Sequence, residues 1–379
     1  MRVSDIVPVA GTAEGAYAPL KDVFGRMVAA QGRGGAALSI YAGGRRVVDL
    51  VGGDYHPDSV QILFSVSKAI TAVAAAMAQE AGLLDLDGPL ADYWPAFDRA
   101  ATRSITPRCV LSHRSGLCGV DRLLSLPELL TGADEGALEQ QEPYWPPGTR
   151  HGYHGFSFGT LIDGAFRRVI GQRVGEFVAE RIARPLGLDL WLGIPDAQLP
   201  RMKQIVCDAP LVTEGWATHR RSSTIPLSET SRLREAGFIY NDPEVARAGW
   251  PSTSAVAGAR DLARMLSATM GQVEGVRLLS AEGMRSMAAT RSRGPDAVLG
   301  IVTHFGSGVQ RPFPQLPLLG PSSFGHEAAG GSAIVADPEL GVAVGYTTNV
   351  YPCMNGASTG FLALQSAIRH CATAPSDVV

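Results

Sequence analysis

Ser65 and Lys68 stand three residues apart at the head of the apolar run Val66-Ser67-Lys68-Ala69-Ile70-Thr71-Ala72-Val73-Ala74-Ala75-Ala76-Met77. On a helix that spacing puts both side chains on one face. A hydroxyl beside an amine at a helix N-terminus has a chemical use. Backbone N–H groups and the positive end of the helix dipole favour the oxyanion formed when a serine attacks a carbonyl. A desolvated lysine can give up its proton and serve as a base. The spacing alone recurs by chance in a chain with 27 Ser, but the residue type is informative. Only Lys21, Lys68 and Lys203 are lysines among 33 basic residues. Arginine stays protonated in proteins, whereas lysine does not have to. The structural alternative is a lysine that snorkels out of a core helix beside an incidental serine.

The elements that position this pair follow from periodicity. Residues 14–31 carry apolar side chains near helical spacing, and 36–41 and 46–51 read as a β-hairpin around Ala42-Gly43-Gly44. The Ser65 helix should stop near Gly82. From about 93 to 285 the pattern changes to helices and long polar loops. It includes a short helix over 105–117 that ends in a glycine turn, a helix over 156–170 and another over 259–270. Residues 198–255 are the least regular and suit a wall or lid. Strands are predicted over 297–303, 331–336 and 342–348, the last two joined by the turn Asp337-Pro338-Glu339-Leu340-Gly341, and a C-terminal helix over 356–369.

Length and composition bound the rest. At 379 residues the chain can bury a large core. A net charge of −3 leaves no electrostatic footprint for nucleic acid or anionic membrane. Neither a signal peptide nor an 18-residue apolar stretch is evident, and the five Cys form no CxxC pair. These features lead us to expect a cytoplasmic protein with reduced thiols.

Three stretches together resemble the serine β-lactamase and penicillin-binding-protein superfamily, above all its class C β-lactamase-like (family VIII) carboxylesterase and transesterase branch. They are Ser65-Val66-Ser67-Lys68, Gly152-Tyr153-His154-Gly155, and Phe324-Gly325-His326-Glu327-Ala328-Ala329-Gly330-Gly331. Supporting stretches are 110–117, 146–149 and 257–263, and the likeness runs over nearly the whole chain in order. It implies a β-lactamase-like fold of α/β plus all-α type. An antiparallel sheet built from both termini would be flanked by helices and interrupted by a helical insertion. The expected division is an α/β domain of residues 1–92 and 286–379 and a mainly helical domain of 93–285, with the active site between them.

Carried over by residue, the resemblance makes Ser65 the acyl-accepting nucleophile, with Lys68 and Tyr153 sharing its proton. The N–H groups of Ser65 and Ala329 would form the oxyanion hole. His326, His154, Gly155 and Ala328 would contact substrate. Two departures stand out: Gly155 replaces a substrate-gripping Asn, and His326-Glu327-Ala328 replaces Lys-Thr-Gly. Both disfavour a β-lactamase or D-Ala peptidase and favour esters or thioesters. The expected function is a serine hydrolase passing through acyl-Ser65 on a small ester, thioester or amide. A biosynthetic acyltransferase handing the acyl group to an amine or alcohol is the alternative, and a non-catalytic acyl-sensing protein the other rival. No cofactor or metal is implied.

Other motifs compete. Gly155-Phe156-Ser157-Phe158-Gly159 fits the GxSxG nucleophile elbow, but no buried strand is predicted before it. His151 and His154 form an HxxH pair lacking a third ligand. For His113, beside a turn, a structural hydrogen-bonding role is expected.

Overall fold

The computed structural model describes residues 8–122, 124–206, 239–351 and 359–374. Much of the 198–255 stretch expected to form a wall or lid, together with Cys207 and Cys353, lies outside them. Cys109 and Cys371 are free thiols. No helix among the described residues is long and apolar enough to cross a membrane.

Six strands form the main sheet: Val9–Ala13 (β1), Gly35–Ala42 (β2), Arg45–Gly53 (β3), Phe324–Glu327 (β4), Ala333–Asp337 (β5) and Val342–Thr348 (β6). Their order is β1-β3-β2-β6-β5-β4, with every pair antiparallel. The two termini therefore meet at β2–β6, in register from Ala36↔Thr348 to Ala42↔Val342. β2 and β6 are buried along almost their whole length, so both faces of the sheet are covered. Helices Leu20–Gln31 (α1) and Thr359–Thr373 (α6) pack one face through Leu20, Phe24, Val28, Phe361, Leu364 and Ile368.

Helix Val66–Glu80 (α2) carries no polar stripe: from Val66 to Ala78 every residue except Met77 is buried. A helix apolar all round has to sit inside the molecule. Its core also takes in Val110 and Leu111 of Pro107–Leu111 (α3), Phe158, Leu161 and Phe166 of Ser157–Val169 (α4), and Leu262 and Leu266 of Ala259–Met270 (α5).

α5 packs on β2, β5 and β6, and the Gly345 backbone lies against the α5 backbone. Two expectations need correction. The strand expected over 297–303 begins only at Val302. Before it, Asp296 Oδ1 accepts the N–H groups of Val298 and Leu299 at 2.9 Å each and folds the chain into a turn. The first strand, Val9-Ala-Gly-Thr-Ala13, was not anticipated, because its alternation is too weak to read.

Candidate active site

Ser65 sits immediately before α2, and its neighbour Phe64 has φ 48°, a conformation costly for a bulky residue. The packing holds it there: the Phe64 ring is buried, lying 4.3 Å from Tyr240 and 5.9 Å from Tyr351 between centroids. The result is a hydroxyl presented at a helix N-terminus. Among the described residues no backbone partner takes the Ser65 N–H.

Lys68 is fully buried one turn in, its Nζ 3.3 Å from Ser65 Oγ and donating to the Ser252 carbonyl at 2.9 Å. The same loop is tied to α2 twice more. Thr71 donates to the Pro251 carbonyl at 2.8 Å, and Ser67 Oγ accepts the Ala255 N–H at 3.0 Å. The loop also reaches α4, where Ser252 Oγ donates to the Phe156 carbonyl. Burial pushes the Lys68 amine well below the usual ammonium range.

Tyr153 comes from the far side, on the loop before α4, and its hydroxyl donates to Ser65 Oγ at 2.8 Å. Lys68 Nζ stands 5.0 Å from the Tyr153 ring centroid. Desolvation raises the phenol above its ordinary value despite its bond to Ser65. The structure thus brings Ser65, Lys68 and Tyr153 together from segments up to 88 residues apart.

The turn after β4 carries Ala328 and Ala329. It is closed by Ala328 N–H to the Ser332 carbonyl and Gly331 N–H to the Ala328 carbonyl. A side chain on Gly330 would come within 2.3 Å of the Phe64 ring, so this turn lies directly against the residue before Ser65. Ala328 is buried, Ala329 is exposed, and the Ala329 N–H has no backbone partner among the described residues. Gly155 is half-buried at the start of the approach to α4.

His326 on β4 is buried 6.3 Å from the Tyr153 ring. Its Nδ1 donates to the Glu327 carbonyl at 2.7 Å, which leaves Nε2 as a bare acceptor without a partner among the described residues. Burial and the nearby Lys68 push its pKa down to about 3. His326 is therefore a neutral imidazole and no stand-in for a lysine cation.

His154, expected at the substrate, is placed otherwise. It is fully buried, with Nδ1 donating to the Gly152 carbonyl at 2.7 Å and Nε2 accepting from Ser115 Oγ at 2.6 Å. Both ring nitrogens are spent on the fold. His151 faces Thr303 Oγ1 at 2.9 Å, so the HxxH pair does not converge. Ser157 is buried in the first turn of α4 and donates to the Leu117 carbonyl, and the segment before it is loop rather than strand. The GxSxG match is a coincidence of spelling.

Sequence reasoning missed two supports. The Ser252 carbonyl holds Lys68 through its main chain, which no residue type signals. Asp296, fully buried, accepts the Tyr153 N–H at 3.1 Å and the Thr303 hydroxyl at 3.1 Å. An aspartate in the run Gly294-Pro295-Asp296-Ala297 reads as an ordinary turn residue.

Set against known proteins, residues 20–365 match the family model described as "Beta-lactamase". The chain belongs to the beta-lactamase family. "Esterase/beta-lactamase LipL" of Mycobacterium tuberculosis is 31% identical over 395 residues, spanning 96% of this chain and 89% of that protein. EstA from Arthrobacter nitroguajacolicus Rue61a superposes with a TM-score of 0.85 at 30% identity, covering 96% of this chain and 98% of EstA. A family VIII carboxylesterase superposes with a TM-score of 0.84 at 25% identity, covering 96% of this chain and the whole of that one. The beta-lactamase-like fold and the membership of its serine hydrolases, on the carboxylesterase-like side, are thereby shown.

Proposed function

We propose that this beta-lactamase-family protein hydrolyses small esters or thioesters through an acyl-Ser65 intermediate. The observation that carries the reading is the convergence of a buried amine and a phenol on one serine hydroxyl. Burial lowers the Lys68 pKa and raises that of Tyr153. Of the two groups, the amine is therefore the one shifted toward a free lone pair. Lys68 takes the Ser65 proton as Oγ attacks the acyl carbonyl, and the Tyr153 hydroxyl donates to the departing alkoxide or thiolate. The proton held by Lys68 then returns to Tyr153. The N–H groups of Ser65 and Ala329 receive the oxyanion, an interaction worth about 3–4 kcal/mol at such sites. Water attacks the acyl-enzyme by the reverse relay.

Substrate class follows from position 326 and from the relatives. A neutral imidazole repays less of the desolvation of a β-lactam carboxylate than an ammonium would. The names of "Esterase/beta-lactamase LipL" and of the family VIII carboxylesterase support an ester. The test is intact-mass analysis after a fluorophosphonate, followed by peptide mapping. A single adduct on Ser65, absent in Ser65→Ala, is expected. A label on Ser157 would overturn the assignment.

A further inference from the structure

His113 has φ 61°, in the left-handed region where His, Asn and Asp are the non-glycine residues most often found. It is buried, just beyond α3. The consequence of that backbone is that one residue offers two acceptors to one neighbouring segment. The His113 carbonyl accepts the Gly152 N–H at 3.0 Å, and His113 Nδ1 accepts the His154 N–H at 3.0 Å. The N–H between them, that of Tyr153, goes to Asp296 Oδ1. Three consecutive backbone donors are thus pinned, with Tyr153 in the middle. The His113 ring also backs the phenol, 4.9 Å from the Tyr153 ring and 4.4 Å from Phe305.

We propose that His113 is a positioning residue for Tyr153. It clamps the backbone on both sides of the tyrosine, so that the phenol stays within hydrogen-bond reach of Ser65. The proposal rests on the acyl-Ser65 reading. The clamp needs a bare Nδ1, with the ring proton on Nε2: a proton on Nδ1 would face the His154 N–H donor to donor. Burial, with His154 and Lys68 next in importance, holds the ring well below its ordinary pKa and so keeps it neutral. Ser112 and Arg114 on either side carry no such pair of bonds to 152–154. Ser112 Oγ donates back to the Arg108 carbonyl, and the Arg114 guanidinium to the Gly148 carbonyl.

Two substitutions separate clamping from packing. His113→Asn keeps a δ acceptor and tolerates the left-handed backbone but loses the ring; His113→Leu keeps the bulk and loses the acceptor. With activity normalised to phosphonate-titratable Ser65 and assayed below the lower Tm, we expect His113→Leu to lose about 30-fold or more in kcat, with KM changed by less than about threefold. His113→Asn should stay within about fivefold of the wild type although it is the less well packed of the two. Leucine is also the poorer residue at a left-handed φ, so a purely structural role lowers its Tm but leaves kcat per titrated site near wild type; Leu equal to or better than Asn in kcat overturns the proposal. Should neither variant fold, nitrogen-15 spectra of the wild type decide: a His113 Nδ1 without a proton supports the clamp, and a protonated Nδ1 sinks it. Failure of the wild type to label at Ser65 would instead refute the acyl-Ser65 reading, and the ring-nitrogen result would stand apart from it.

Discussion

At the scale of single residues, Lys68 is the sharpest point. It is fully buried with no carboxylate partner among the described residues, where its polar contacts are the Ser65 hydroxyl and the Ser252 carbonyl. A guanidinium there could neither lose its proton nor fit the same space. Lys68→Arg is therefore expected to be nearly as damaging as Lys68→Ala; retention of activity within about tenfold, roughly 1.4 kcal/mol of barrier, would exclude proton transfer through Lys68. The sign of the pH dependence follows from the same shift. The folded pKa of Lys68 is lowered, so the reactive amine is present above that pKa and is lost as pH falls through it. Tyr153, shifted upward, titrates above this window, which leaves one rising limb in kcat/KM with increasing pH. A falling limb near neutrality would speak against Lys68 as the base.

His326 sets the second residue-scale expectation. We expect p-nitrophenyl butyrate to be preferred over nitrocefin by at least about 100-fold in kcat/KM, the carboxylate finding no cation at position 326. Protonation of His326 toward pH 6 would narrow that gap in an exposed site. Here burial pulls its pKa to about 3, so the ratio should be the same at pH 6.0 and 7.5. Steady-state rates on both substrates at both pH values test this; comparable efficiencies, or a ratio that collapses at pH 6.0, would defeat it.

Among the elements, the turn between β4 and β5 leaves little room for change. Gly330 packs so closely on Phe64 that a β-carbon would stand 2.3 Å from the ring. Phe64 is itself wedged against Tyr240 and Tyr351, so it has little room to yield. Gly330→Ala should push Ala329 away from Ser65 and lower kcat by about 100-fold, the scale of one lost oxyanion donor, with a smaller effect on KM. Unchanged kcat in a folded Gly330→Ala protein would remove Ala329 from the oxyanion hole. The loop 251–255 shows a related economy: Ser67, Lys68 and Thr71 all bond to it, so one stretch both anchors α2 and holds the amine.

For the whole molecule, the sheet closes only when β2 and β6 meet across some 300 residues of chain, and the helical core continues onto the sheet through α5. We propose that the parts expected as two domains fold as one cooperative unit. Thermal unfolding followed by calorimetry and by near-ultraviolet dichroism should give a single coincident transition. Two resolved transitions would restore the division at 92 and 285.

Much of this was legible in the order of residues. The hairpin 35–53, helices α2, α4 and α5, and the 337–341 turn follow from local periodicity and turn chemistry, which depend on near neighbours alone. Ser65 and Lys68 were readable from their residue types and spacing, and Tyr153 from the family resemblance. Other features were decided by packing. His154 and His326 look alike in sequence, yet one spends both nitrogens inside the fold and the other keeps a bare nitrogen near Tyr153. Asp296 and the Ser252 carbonyl support the site through backbone groups, which carry no residue signature. The sequence by itself determined which chemistry was available, since that resides in side-chain type. Only the tertiary structure decided which groups are desolvated and which are paired, because both depend on neighbours far away in the chain.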